Sequence, residues 1–164
     1  MPADLEGFEG FDGIELLQKL PLFSDLNHAE TLRLAAICIA EKRGAGTILV
    51  AENALGESLF VVRSGRVSVD KGDGSSRLHL GEMAAGEMFG EMSLVDDVLT
   101  QATVTALEDV ELLVVPRGEL DALLSSDPAL ALKVFRSFCR ALTAKIRALQ
   151  KLIAPERGLE MEKA

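Results

Sequence analysis

The sequence predicts a mainly β protein, an antiparallel β jelly roll with helices at both ends, and three observations carry that prediction. From Gly44 to Pro116, short runs rich in Val, Leu and Thr are cut every eight to twelve residues or so by Gly, Asn, Asp and Ser, the rhythm of short antiparallel strands joined by turns. On either side of this region apolar residues recur three and four apart, the period of a helix that buries one face. The last helical stretch, from Pro128 to Ala154, contains no internal Pro or Gly, so it reads as one long helix leaving the roll.

In chain order, residues 14–41 are helical in pattern. Ile14, Leu16, Leu17 and Leu20 precede Pro21, and after Asn27, a good helix N-cap, a second run passes through Leu32, Leu34, Ala35, Cys38 and Ile39. In SLFVVRSGRVSVD the Ser64-Gly65 step reads as a tight hairpin between LFVVR and RVSV, and KGDGSS at 71–76 makes the next turn. Strands follow at RLHLGEM, ATVTAL and VELLVVP. After Pro116 the helical pattern returns in RGELDALLSS and again from Asp127, with Pro128 in the first turn. The expected organisation is a flexible N-terminus over 1–13, one domain over 14–154 that includes the long helix at 127–154, and a flexible polar tail over 155–164.

At 164 residues, 48% of them apolar, the chain can bury one sizeable core. Lys and Arg number 17 against 26 Asp and Glu, for a net charge of −9. Such a field repels phosphate backbones and anionic headgroups, so neither nucleic acid nor a membrane is expected as a partner. The acidic start, MPADLEGFEGFDG, has no basic and apolar leader pattern, and the longest uncharged apolar run, LAAICIA at 34–40, is too short to span a bilayer; a cytoplasmic protein is expected. Cys38 and Cys139 lie in helical apolar patterns and read as two buried reduced thiols. Two distant histidines, His28 and His79, assemble neither a metal site nor a hydrolytic grouping, so no enzyme activity and no metal is expected. A cupin-like metalloprotein, the remote alternative, would need more ligands than the single histidine of RLHLGE.

The most informative stretch is GEMFGEMSLVDDVLTQATVTA at 86–106, a glycine-punctuated turn leading to a short helix and a strand. Together with LLQKLPLFSDL, GTILVAENALGESLFVVRSGRVSV and ATVTALEDVELLVVPRGEL, in that order, it resembles the cyclic-nucleotide-binding domain family, over residues 14 to 153 or so. The resemblance implies that 86–104 is a phosphate-binding cassette. Phe89-Gly90-Glu91 fits it: Gly90 would let backbone approach the ligand, the helix start at Met92 and Ser93 would favour an anion, and Glu91 would accept from the ribose 2′-hydroxyl. The same triplet also reads structurally, as a tight turn with Phe89 in the core. The family continues with Pro-Arg-(Ser or Ala)-Ala-Thr, whereas this chain has Leu99-Thr100-Gln101-Ala102-Thr103. Thr100 therefore stands where the resemblance puts the phosphate-pairing arginine. Leaving a largely buried anion without that partner costs roughly 3–5 kcal/mol, or about two to three powers of ten in affinity. No cofactor is expected beyond weak cyclic nucleotide, with neutral donors at Thr100 and Gln101 in place of the cation.

The long helix carries a second pattern. Leu132, Phe135, Cys139, Leu142, Ile146, Leu149 and Ile153 alternate three and four apart, a heptad seam, while Leu130, Val134, Phe138 and Ala141 form a second stripe suited to the roll. The distal part of such a helix outreaches the roll, so a parallel homodimer is expected through it, as the resembling transcription regulators use. No helix-turn-helix segment follows, only ERGLEMEKA after Pro155. The expected protein is a stand-alone, non-enzymatic regulatory or scaffold module with a weakened or lost response to ordinary cyclic nucleotides, acting on an unidentified protein partner. The alternative is a sensor that still accepts cyclic AMP, cyclic GMP or another small ligand and signals through the helix.

Overall fold

The computed structural model describes residues 12–162, with side chains over 14–92 and 95–153. Two helices, α1 (Asp12–Lys19) and α2 (His28–Ile37), lead into eight strands: β1 (Ile39–Arg43), β2 (Ile48–Val50), β3 (Ser58–Ser64), β4 (Val67–Lys71), β5 (Leu78–Met83), β6 (Met88–Phe89), β7 (Thr103–Ala106) and β8 (Val110–Pro116). Helices α3 (Arg117–Ser126) and α4 (Pro128–Glu162) close the chain. The strands form two four-stranded antiparallel sheets, ordered β1-β8-β3-β6 and β2-β7-β4-β5, the expected jelly roll.

At β3 and β8 the first sheet is buried on both faces, which explains why these two strands are nearly continuous in apolar residues. Leu59, Val61, Leu113 and Val115 point toward the helices and pack with Leu17, Leu20, Phe23, Leu34, Leu120, Leu130, Val134 and Phe138. Their neighbours Val62, Val110, Leu112 and Val114 point into the roll, onto Val67, Phe89, Val104 and Ala106. The period-2 alternation of a strand thus divides one apolar run between two cores.

The expected stripe Leu130, Val134, Phe138 is buried at 0, 1 and 5% exposure and anchors α4 to the roll. Polar contacts fix the same junction: Asp127 accepts from the Leu130 N–H and pairs with Arg33, Glu30 pairs with Lys133, and Asp25 pairs with Arg140. Asn27 caps α2 as expected, in a reciprocal capping box with Glu30.

Four elements differ from the sequence reading. The second helical run ends at Ile37, and Ile39–Arg43 is strand β1, in register with β8 from Ile39 opposite Val114 to Arg43 opposite Val110. Nothing local separates LAAICIA into two states; β8 recruits its second half. Ser64-Gly65 is not a hairpin, because β3 pairs with β6 and β8 whereas β4 pairs with β5 and β7. The step is a corner where the chain changes sheets. Gly65 has φ +87°, and a Cβ there would lie 2.6 Å from the Asp109 carbonyl oxygen. Helix α4 runs past Pro155 to Glu162, where the sequence suggested a tail from 155; the flexible stretch expected at the N-terminus lies, through residue 11, outside the described residues. Finally, the thiols are free but not both buried: Cys38 is half-buried and Cys139 exposed. Cys139 sits on the face of α4 turned away from the roll, so only its helical spacing resembled a core position.

Candidate functional site

The cassette begins where β6 ends. Phe89 is 4% exposed and stacks on Phe60 with ring centroids 4.9 Å apart, so it belongs to the inner core. Gly90 takes φ +87°, and a Cβ on it would meet the Ser58 carbonyl oxygen at 2.6 Å. Its lack of a side chain therefore serves the close approach to β3. Glu91–Leu94 forms one 3-10 turn, too short to build an appreciable dipole. Met92 projects into solvent, 51% exposed; the Ser93 side chain is outside the described residues.

Thr100 is committed to the β2–β3 loop. Its hydroxyl donates to the Ala51 carbonyl and accepts from the Ala54 N–H at 2.9 Å. Its own N–H donates to the Ala54 carbonyl at 2.8 Å, and its carbonyl accepts from the Asn53 N–H at 2.9 Å. Gln101 is exposed and its amide donates to the Leu99 carbonyl, while Ala102 is half-buried. Asp97 pairs with Arg117 at the start of α3, which ties the acidic segment to the helices.

Glu91 is the residue with an unexpected partner. Its side chain is 15% exposed, and Oε1 receives the Lys145 ammonium of α4 at 2.9 Å. Sequence reasoning missed this lysine, although a signal was present: Lys145 follows Ala141 by four, so it continues the stripe Leu130, Val134, Phe138, Ala141 that faces the roll. Three arginines of the roll pair elsewhere. Arg66 pairs with Glu82 and Glu108, Arg77 with Asp70, and Arg63 with Glu111.

On β4 and β5 a polar cluster surrounds Asp70, which accepts from Arg77 at 2.8 Å, from Ser68 at 3.0 Å and pairs with His79 Nδ1 at 2.9 Å. Arg77 foremost, then His79, holds the Asp70 carboxyl down at about 2. Cys38 is pushed up to about 12 by burial, which keeps its thiol protonated and unreactive. Among the described residues no group of three or more His, Cys, Asp or Glu is placed to hold a metal ion, and no helix is long and apolar enough to cross a membrane.

Seam residues divide. Leu132, Phe135, Ile146, Leu149 and Ile153 are exposed, at 40% or more, as is Cys139. Leu142, expected among them, instead packs partly against the helix-side core. The turn of α4 that carries it also carries Ala141 and Lys145, and all three border the roll.

A two-sheet roll with the 86–104 segment between β6 and β7 and a long terminal helix over it defines a regulatory domain of the jelly-roll kind. The sequence model for the cyclic nucleotide-binding domain matches residues 41–127, just over half of the chain, and the chain belongs to that family. It is 31% identical over 117 residues to a cyclic nucleotide-gated potassium channel of Rhizobium etli, covering 71% of this chain and 32% of the channel. It is 34% identical over 96 residues to a cAMP-dependent protein kinase regulatory subunit of Yarrowia lipolytica, covering 58% of this chain and 24% of that protein. The chain thus spans a third or less of either relative. A solved cyclic nucleotide-binding domain of Methylobacillus flagellatus superimposes with a TM-score of 0.75 at 27% identity, covering 92% of this chain and 84% of that one.

Proposed function

We propose that this chain is a non-enzymatic regulatory module whose cassette has a weakened or lost response to ordinary cyclic nucleotides, and whose long helix joins two copies. The observation that carries the first part is Thr100. The family resemblance puts an arginine there, and the threonine present spends its hydroxyl and both backbone polar groups on residues 51–54. A neutral side chain, already committed to its neighbours, thus stands in place of an ion pair worth about two to three powers of ten. Isothermal titration with cyclic AMP and cyclic GMP tests it. Dissociation constants in the high micromolar range or weaker are expected, and a sub-micromolar value for either overturns the reading.

The second reading is a working sensor of cyclic AMP or cyclic GMP, the kind of ligand for which both relatives are named. It is favoured by the retained Phe89-Gly90-Glu91 turn, which keeps the Glu91 carboxylate at the cassette. The same titration decides between the two. In either case the proposed output is α4, because Leu132, Phe135, Ile146, Leu149 and Ile153 form an exposed apolar stripe along it.

A further inference from the structure

Beneath α4 the roll leaves a cavity of about 260 Å³, lined by Leu22, Met83, Met88, Phe138 and Leu142 among others, and bounded on one side by Glu91 and Lys145. Its wall is apolar and contributed by three separate parts of the chain: the segment after α1, the β5–β6 turn and α4. We propose that this cavity, with the Glu91 carboxylate at its edge, is a binding site for a small primary amine with an apolar body, and that Lys145 is its intramolecular competitor.

The molecule itself displays the chemistry. Lys145 is an alkylammonium that borders the cavity and whose head sits 2.9 Å from Glu91 Oε1. The two partners are unequal: the Glu91 side chain is 15% exposed and that of Lys145 63%. An incoming cation takes over Glu91 and releases Lys145 to water at little cost, because long exposed side chains hydrate readily. An incoming anion would take Lys145 and leave the less exposed carboxylate unpaired, which is the expensive alternative. The net charge of −9 favours cations further. The volume lies slightly below the usual range for small-molecule sites, about 300–1,000 Å³, and so suits a body of one ring rather than a nucleotide. Binding would replace the Lys145–Glu91 ion pair that links α4 to the cassette. Amine binding does not require the cassette to bind a cyclic nucleotide, although a nucleotide whose ribose took Glu91 would compete for the same carboxylate.

The test uses the whole chain with ¹³C-methyl methionine. Met83 and Met88 line the cavity, while Met92 lies outside it and is exposed. Titration with 2-phenylethylamine should shift the Met83 and Met88 methyl signals saturably and leave Met92 in place. Phenylacetate, of the same shape and opposite charge, should bind at least tenfold more weakly. Lys145→Met should tighten amine binding by up to about fivefold, the worth of a partly exposed ion pair, and Glu91→Gln should weaken it at least tenfold. Equal binding of the two probes, no saturable shift at Met83 and Met88, or weaker amine binding by Lys145→Met would each overturn the proposal. Because both probes are compared on the unaltered protein, a variant that fails to fold does not rescue it.

Discussion

Thr100 shows how one side chain is claimed by its neighbours. A threonine hydroxyl has one proton to give, and here it goes to Ala51 while Ala54 uses a lone pair. Thr100→Arg would forfeit both bonds, at about 1 kcal/mol each, and introduce the cation that the family resemblance implies. If the rest of the cassette is receptive, cyclic AMP affinity should rise by about two powers of ten in calorimetric titration; an unchanged affinity would mean that the loop or the Glu91–Lys145 pair keeps the pocket shut. Gly90 is constrained more severely, by backbone conformation and by space together. Gly90→Ala must hold a positive φ and find room where the Ser58 carbonyl lies 2.6 Å away. A loss of about 1–3 kcal/mol in urea unfolding is expected, with or without any ligand.

At the scale of elements, α4 divides along its length into a fastened part and an exposed part. Its first part is fastened to the roll through Leu130, Val134 and Phe138 and through ion pairs to α2 and the α1–α2 connection. With 35 residues it extends about 52 Å at 1.5 Å per residue, beyond what a small roll can cover, and Ile146, Leu149 and Ile153 are 54–60% exposed. In a parallel pair Leu149 would occupy a d position between Ile146 and Ile153, and Cys139 an a position. Leu149→Glu would place two like charges in that seam and remove about 2–3 kcal/mol of burial per chain. Light scattering should then show twice 17.6 kDa for the unaltered chain and 17.6 kDa for the variant, with the thermal midpoint of the roll unchanged at matched low concentration. A monomeric parent would defeat the dimer.

For the molecule as a whole, three carboxylates bind the parts together, and all are held below their ordinary values. Hydrogen bonding from Arg77 and then His79 depresses Asp70 to about 2, from Lys133 and the Asn27 N–H depresses Glu30, and from the Leu130 N–H and Arg33 depresses Asp127. A carboxylate whose folded value is lowered stabilises the fold fully above its unfolded value and loses that contribution as pH falls toward the folded one. For Asp70 the window runs from about pH 4 down to pH 2. Thermal midpoints of the parent and Asp70→Asn should therefore differ clearly at pH 5 and converge as pH approaches 2. A difference that grows with acidification would contradict the assignment.

Much of this was legible in the chain itself. Turn residues at regular intervals announced the roll, Asn27 announced the start of α2, and the helical spacing of Leu130, Val134, Phe138 and Ala141 announced the face of α4 that would be buried. These are local patterns, since caps, turns and periodicity depend on residues a few positions apart. The cassette, too, was visible as GEMFGEM, with Thr100 where the resemblance puts an arginine. What the sequence by itself left open was every feature decided by distant partners. Ile39–Arg43 became a strand because β8 offered an unpaired edge, and Ser64-Gly65 became a corner because β3 and β4 found their partners in different sheets. Glu91 met Lys145, 54 residues further on, only because α4 folds back across the β5–β6 turn. A local pattern fixes which face a segment must bury; the packing of the whole chain decides against what, and so which carboxylate at the cassette faces which cation.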